Sequence, residues 1–203
     1  ALPFANIVDE AVRFDLKDCP DMQALKEKVR QRIFDSVDAA MAERKNLYII
    51  PSPFLSLFFE GCMDSGRDIS LGCRYNNWGL HGTGLAPAAD MLAAVEKKVF
   101  EERLSVKTLL AALEADFAGY ETLHDSLKYH SPKMGNDEDS VDALAGWLLD
   151  SFAQAVSGHR NERGGILRAG TGSAMYYIFH ANELGATADG REAGVPLPAN
   201  YAP

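Results

Sequence analysis

The sequence predicts a helix-rich α/β fold, and three features carry that reading. Two long stretches, around 22–41 and 141–155, repeat apolar residues at helical spacing. Residues 173–180, Ser-Ala-Met-Tyr-Tyr-Ile-Phe-His, form the best strand candidate, rich in aromatic and β-branched side chains. Between such elements lie glycine-rich segments that turn repeatedly or bring backbone close to a neighbour. The expected outcome is a body of helices around a few short, buried strands.

The first twenty residues show no clear period. Pro20 and Asp21 then open a helix in which Met22, Leu25, Val29, Ile33, Val37 and Met41 share one stripe. Residues 47–50, Leu-Tyr-Ile-Ile, suit either a strand or the buried exit of that helix, and the Pro51-Ser52-Pro53 run stops them. Residues 54–63 are apolar nearly all round, which predicts a central, buried helix.

Residues 72–84 hold four glycines and two asparagines together with Tyr75 and Trp78, and are expected to form a rigid loop lining an interior or a cleft. A phosphate cradle is the competing reading, but Gly82-Thr83-Gly84 has no following lysine and no clear preceding strand. Pro87 suits the first turn of a helix running to about 102. Ser105 is a plausible cap for a second, through Leu109, Leu113 and Phe117, with Gly119 closing it. A short helix spans 121–129. Asn136 is expected to cap a long helix with Asp137, Glu138 and Asp139 in its first turn, Val141, Leu144, Leu148, Phe152 and Ala155 on its apolar face, and Gly158 at its end.

The chain has 203 residues and a formal charge of −9, which argues against a general nucleic-acid binder needing a basic stripe. Its three cysteines, Cys19, Cys62 and Cys73, are odd in number and contain no C-x-x-C pair, so neither a disulfide framework nor a zinc ribbon is indicated and a reducing, cytoplasmic compartment is expected. Cys62 and Cys73 read as small apolar residues rather than nucleophiles. The five histidines have no ligand-like spacing, so no metal site is expected. No apolar run reaches membrane-spanning length and no signal peptide is read. The first residue is not methionine and the proline-rich end follows no closing element, so the chain is expected to be cut from something longer.

Several ordered blocks resemble the large domain of the glycyl radical enzymes, the family of pyruvate formate-lyase, glycerol dehydratase and choline trimethylamine-lyase. They are Pro53-Phe54-Leu55-Ser56 followed by Cys62, Gly66, Asp68 and Ile69; Arg74-Tyr75-Asn76 with Gly79, Gly82, Gly84 and Ala89-Asp90; Pro132-Lys133 with Gly135-Asn136-Asp137; Arg160-Asn161 and Arg163-Gly164-Gly165; and Gly185-Ala186-Thr187 with Asp189-Gly190-Arg191 and Ala193-Gly194. The match runs from Pro53 to the end. Ala169 and Ala188 depart from it, standing where proline is usual.

The resemblance implies part of a ten-stranded α/β barrel made of two parallel half-barrels wrapped by helices. It implies a cytoplasmic lyase, dehydratase or formate acetyltransferase-like enzyme of anaerobic metabolism, working on a small-molecule substrate as a homodimer when full length. The cofactor is a glycyl radical, installed by an activating enzyme that uses S-adenosylmethionine and an iron–sulfur cluster; this chain itself binds none. In the family the thiyl-radical cysteine precedes the Pro-Phe block and the glycyl loop follows the Asp-Gly-Arg block, so residues 1–203 are expected to be a fragment of one domain lacking both, inactive without the remainder of the parent polypeptide. Cys62 is not the thiyl residue, and Gly119-Tyr120 lacks the arginine-valine that precedes a glycyl radical.

In pyruvate formate-lyase the strand before Asp-Gly-Arg lines the substrate site. Counting back places Gly172, Ala174 and Tyr176 there as candidate substrate-binding residues, with no catalytic residue in this chain. The small size of Gly172 and Ala174 predicts a roomier pocket and a substrate other than pyruvate. Arg168 and Arg191 suit an anionic group but are read first as ties to backbone carbonyls. Two other classes stay open: a non-catalytic helical scaffold or interaction protein derived from this fold, and a cysteine hydrolase using Cys73 and His81.

Overall fold

The computed structural model describes residues 1–45, 47–172 and 175–198. The elements are β1 (Leu2–Pro3), α1 (Phe4–Phe14), α2 (Met22–Glu43), three short helices α3 (Pro53–Ser56), α4 (Cys62–Ser65) and α5 (Ile69–Gly72), β2 (Trp78–Thr83), α6 (Leu85–Val95), α7 (Val106–Glu114), α8 (Glu121–Tyr129), α9 (Asp139–Val156), β3 (Leu167–Thr171) and α10 (Tyr176–Ala181). A 3-10 turn at Leu16–Asp18 and a wide turn at Glu96–Glu101 complete them. The three strands form a parallel sheet in the order β1-β2-β3.

Long helices fall where the periodicity puts them. Asp21 caps α2, its carboxylate accepting from the Ala24 N–H at 2.8 Å, and Leu25, Val29, Ile33 and Val37 are fully buried. Ser105 caps α7 through the Thr108 N–H, and α8 spans the expected residues. All five apolar residues expected on α9 are buried, and Phe152 meets Phe4 edge to face at 5.5 Å. Asn136 does not cap α9. The N-cap is Glu138 with no side-chain bond, because Asp137 turns through a left-handed conformation (φ 59°) and shifts the start downstream.

The central helix is α6 and not 54–63. All eleven residues of α6 are buried, and its alanines let α1 and α9 approach closely. It starts two residues before Pro87, which still falls where backbone N–H groups have no intrahelical partner. Residues 54–63 break into α3 and α4 around Gly61 (φ 92°), leaving Phe54, Leu57, Phe58 and Met63 exposed. Residues 47–50 lie in no regular element and are exposed as well.

Strands are where the sequence misleads most. The stretch expected to be a loop contains β2, the middle strand, and the glycine-rich 163–172 segment contains β3. The expected strand at 173–180 is instead helical over its described end: α10 buries His180 and Ala181, with Tyr177 packed on the core, while Ile178 and Phe179 stay exposed. Residues 177, 180 and 181 share one helical face, and that tertiary burial overrides an intrinsic β preference. Period-two spacing therefore does not carry Gly172 to Tyr176.

Glycine is required where two loops clasp ahead of the sheet. The Asn161 amide donates to the Asn76 carbonyl at 2.6 Å and its oxygen accepts from the N–H groups of Arg163 and Gly165, while Asn77 accepts from the Ile166 N–H. A Cβ on Gly165 would stand 1.9 Å from the Asn76 carbonyl oxygen. Because the obstacle is backbone, G165A in the full-length protein is expected to cost about 1–3 kcal/mol or more, read as a lower unfolding midpoint. An unchanged midpoint would show that this clasp is not formed.

Candidate functional site

Register defines one face of the sheet. Gly79 pairs with Arg168 and His81 with Gly170, so Gly79, His81, Arg168, Gly170 and Gly172 share one side, and Leu80 and Gly82 share the other. On that second side α1 covers β2: the Phe4 ring lies where a Gly82 Cβ would be, at 2.3 Å. The opposite side is open, with Gly79, His81, Arg168 and Gly172 all exposed. Three glycines leave space around one imidazole and one guanidinium, and the His81 ring rests over Gly170 at 3.3 Å from its virtual Cβ. A parallel sheet is normally covered on both faces, and these residues leave this side uncovered.

The carboxyl end of the sheet is where ligands bind in α/β folds. There the Thr83 hydroxyl bonds His180 Nδ1 at 3.0 Å and lies 3.5 Å from the Leu2 carbonyl. With the hydroxyl donating to Leu2 O, it accepts from a protonated Nδ1. Burial pushes the His180 pKa below its ordinary value and keeps the ring neutral. This bond pins α10 to the end of β2 and places Tyr176, 5.4 Å from His180 ring to ring, beside the same end.

A buried charged cluster fixes the turn that follows. Lys133 Nζ donates to the carbonyls of Leu127 at 2.8 Å and Asp189 at 2.9 Å. The Asp90 carboxylate accepts from the Met134 N–H at 2.7 Å. Arg191 donates to the carbonyls of Gly185, Glu192 and Val195, and the Thr187 hydroxyl donates to Asp189. Gly190 (φ 91°) packs against the Lys128 backbone, 2.7 Å from a virtual Cβ, so no larger residue fits. A cleft of about 290 Å³ opens over Asp90, Lys133, Asp189 and Arg191. Burial raises Asp90 to about 7 and lowers Lys133.

Of the sequence-predicted residues, Gly172 lies on the open face directly after β3 and Tyr176 begins α10; Ala174 lies outside the described residues. Arg191 is a backbone tie, as first read. Arg168 makes no side-chain hydrogen bond or ion pair among the described residues and stands on the open face. Cys73 does not meet His81: its sulfur faces Cys62 Sγ and the Ile69 carbonyl, which removes the hydrolase dyad. Gly119 is a helix-joining turn at φ 81°. Among the described residues no group of three side chains suits a metal ion, and no helix is long and apolar enough to cross a membrane. The Lys133 cluster went unread in the sequence because its members lie far apart along the chain.

A family model described as pyruvate formate lyase-like matches residues 23–179. The chain belongs to this family, that of the glycyl radical enzymes. It is 30% identical over 156 residues to trans-4-hydroxy-L-proline dehydratase of Clostridioides difficile, covering 76% of this chain and 20% of that protein. It is 31% identical to (2S)-3-sulfopropanediol dehydratase of Klebsiella oxytoca, covering 75% and 19%. The structure of a glycyl radical enzyme from Archaeoglobus fulgidus superposes on 97% of the chain and 28% of its own length with a TM-score of 0.85 at 30% identity. The chain thus spans about a fifth of the curated relatives it matches and forms part of a glycyl radical enzyme barrel of ten strands.

Asp90 yields a pH test. Its acid is weaker in the folded than the unfolded state, so ionising it opposes folding; that penalty is full above about pH 7 and is relieved as pH falls towards 4. Asparagine keeps an oxygen for the Met134 N–H and carries no charge. The stability of D90N relative to wild type is therefore expected to improve between pH 5 and pH 8, measured by denaturant titration. A difference that is flat or falls with pH contradicts the assignment.

Proposed function

We infer that this chain supplies one wall of the substrate pocket of a glycyl radical dehydratase or lyase that cleaves a C–O, C–N or C–C bond of a small polar molecule other than pyruvate, and that it is inactive alone. The observation that carries this reading is the open, glycine-cleared sheet face with His81 and Arg168 on it, next to Gly172 and Tyr176. In this reading Gly172, Ala174 and Tyr176 border the substrate, and the glycines supply volume where larger side chains would fill it.

Arg168 suits an anionic substituent, since a guanidinium binds a carboxylate or sulfonate through paired N–H donors. The two dehydratases named above act on molecules bearing such groups, which supports a hydroxylated, anionic substrate. The exposed apolar run through Tyr48, Ile50, Phe54, Phe58 and Met63 fits a segment that is covered in a longer protein. The radical would be installed in the full-length, cytoplasmic homodimer by an S-adenosylmethionine-dependent iron–sulfur activating enzyme. In this reading the radical is carried elsewhere in the full-length protein, and the part of this chain is to bind, orient and exclude water.

The test is anaerobic activation of the full-length protein, with the glycyl radical counted by electron paramagnetic resonance, followed by product assays with trans-4-hydroxy-L-proline, (2S)-3-sulfopropanediol and pyruvate. A radical signal without pyruvate-dependent formate exchange is expected; such exchange, or no radical, would sink the reading. With whichever substrate turns over, G172L is expected to lower kcat/KM about tenfold or more at an unchanged radical yield, because added methylenes would occupy substrate volume. Unchanged kinetics would remove Gly172 from the pocket.

A further inference from the structure

Cys62 and Cys73 are brought together by a fold that neither residue suggests alone. Cys62 opens α4, Cys73 follows α5, and their sulfurs stand 3.8 Å apart. The backbone around them is already in contact: the Arg74 N–H donates to the Glu60 carbonyl at 2.8 Å and the Arg67 N–H to the Cys62 carbonyl at 3.2 Å. A Cβ on Gly61 would lie 2.8 Å from both Arg74 N and Gly72 O. Closing the 3.8 Å between the sulfurs competes with the 3.3 Å bond from Cys73 Sγ to the Ile69 carbonyl. A disulfide needs sulfurs about 2.05 Å apart.

The two thiols are unequal. Cys62 is buried, 3% exposed, and burial and the neighbouring sulfur raise its pKa, whereas Cys73 is half-buried. A cleft of about 400 Å³ reaches Cys62 past Pro53, Leu57 and Arg67. Cys19, the third cysteine, belongs to the segment before α2, where its sulfur bonds the Asp15 carbonyl.

We propose that Cys62 and Cys73 are a peroxide-oxidisable pair that closes to an intramolecular disulfide and staples α4 to the chain entering β2. Cys73, as thiolate, attacks a hydroperoxide; the O–O bond breaks, the sulfur loses two electrons to become a sulfenic acid, and hydroxide leaves. Cys62 then attacks that sulfur as its own proton departs, the S–O bond breaks, water is released and the S–S bond forms. Two thiols and one hydrogen peroxide give one disulfide and two waters. Residue 73 lies five positions before β2, so the bond tethers the approach to the open face.

Full-length protein without the radical, reduced and then exposed to a stoichiometric series of hydrogen peroxide, gives the test. Trypsin cuts after Lys45, Arg67 and Arg74, so the disulfide joins peptide 46–67 to peptide 68–74. The expected result is this linked pair, lost on reduction, with Cys19 still alkylatable. In C62S, Cys73 is expected to be trapped by dimedone as sulfenic acid at least fivefold more than in wild type. Absence of the linked pair in wild type, linkage through Cys19 instead, or over-oxidation of Cys73 without linkage overturns the proposal. The wild-type peptide map decides this even where C62S fails to fold.

Discussion

The clasp between the Asn76-Asn77 turn and the Gly164-Gly165 turn sets the register of β2 against β3, and most of what the structure offers follows from that register. Asn161 satisfies groups on both turns at once, and Gly165 is bare because the Asn76 carbonyl occupies the space of its side chain. A slip of one residue would exchange the two faces of the strand, burying His81 against Phe4 and exposing Leu80. The family blocks around Asn76 and Arg163-Gly164-Gly165 are the two halves of this single contact.

A second constraint acts on the C-terminal turn. A lysine buried among helices must have its protons and charge accommodated, and Lys133 does this with two carbonyls and the nearby Asp90 and Asp189. One of those carbonyls belongs to the Asp189-Gly190-Arg191 turn, so satisfying the ammonium also docks the turn on α8. Arg191 then holds the turn's own carbonyls, and Arg13 reaches across from α1 to the Ala186 carbonyl at 2.6 Å. The charged residues of this motif hold the turn in position.

Together these two constraints fix the register of the sheet and the position of the C-terminal turn. The sheet offers a face on which bulk is withheld at three glycines and charge is supplied at one arginine, while on the opposite face Phe4 packs against Gly82 of the middle strand. Apolar side chains from 47 to 63 are left in solvent by this segment of the barrel. The paired cysteines sit between that apolar surface and the sheet.

The sequence by itself determined the long helices, their buried stripes and their caps at Asp21 and Ser105, because helical periodicity and capping are local properties that a chain writes directly. It also carried the family, through ordered blocks whose reason is tertiary but whose spelling is linear. Only the tertiary structure decided the strands. Trp78–Thr83 and Leu167–Thr171 are glycine-rich and read as loops, yet become strands because each finds a neighbour to bond and a helix to lie on. Residues 176–181 have strand-forming side chains, yet coil because burying 177, 180 and 181 together needs a helical face. The same holds for Lys133 with Asp189, Thr83 with His180 and Cys62 with Cys73: each pair is separated along the chain, and only the fold brings its partners within bonding distance.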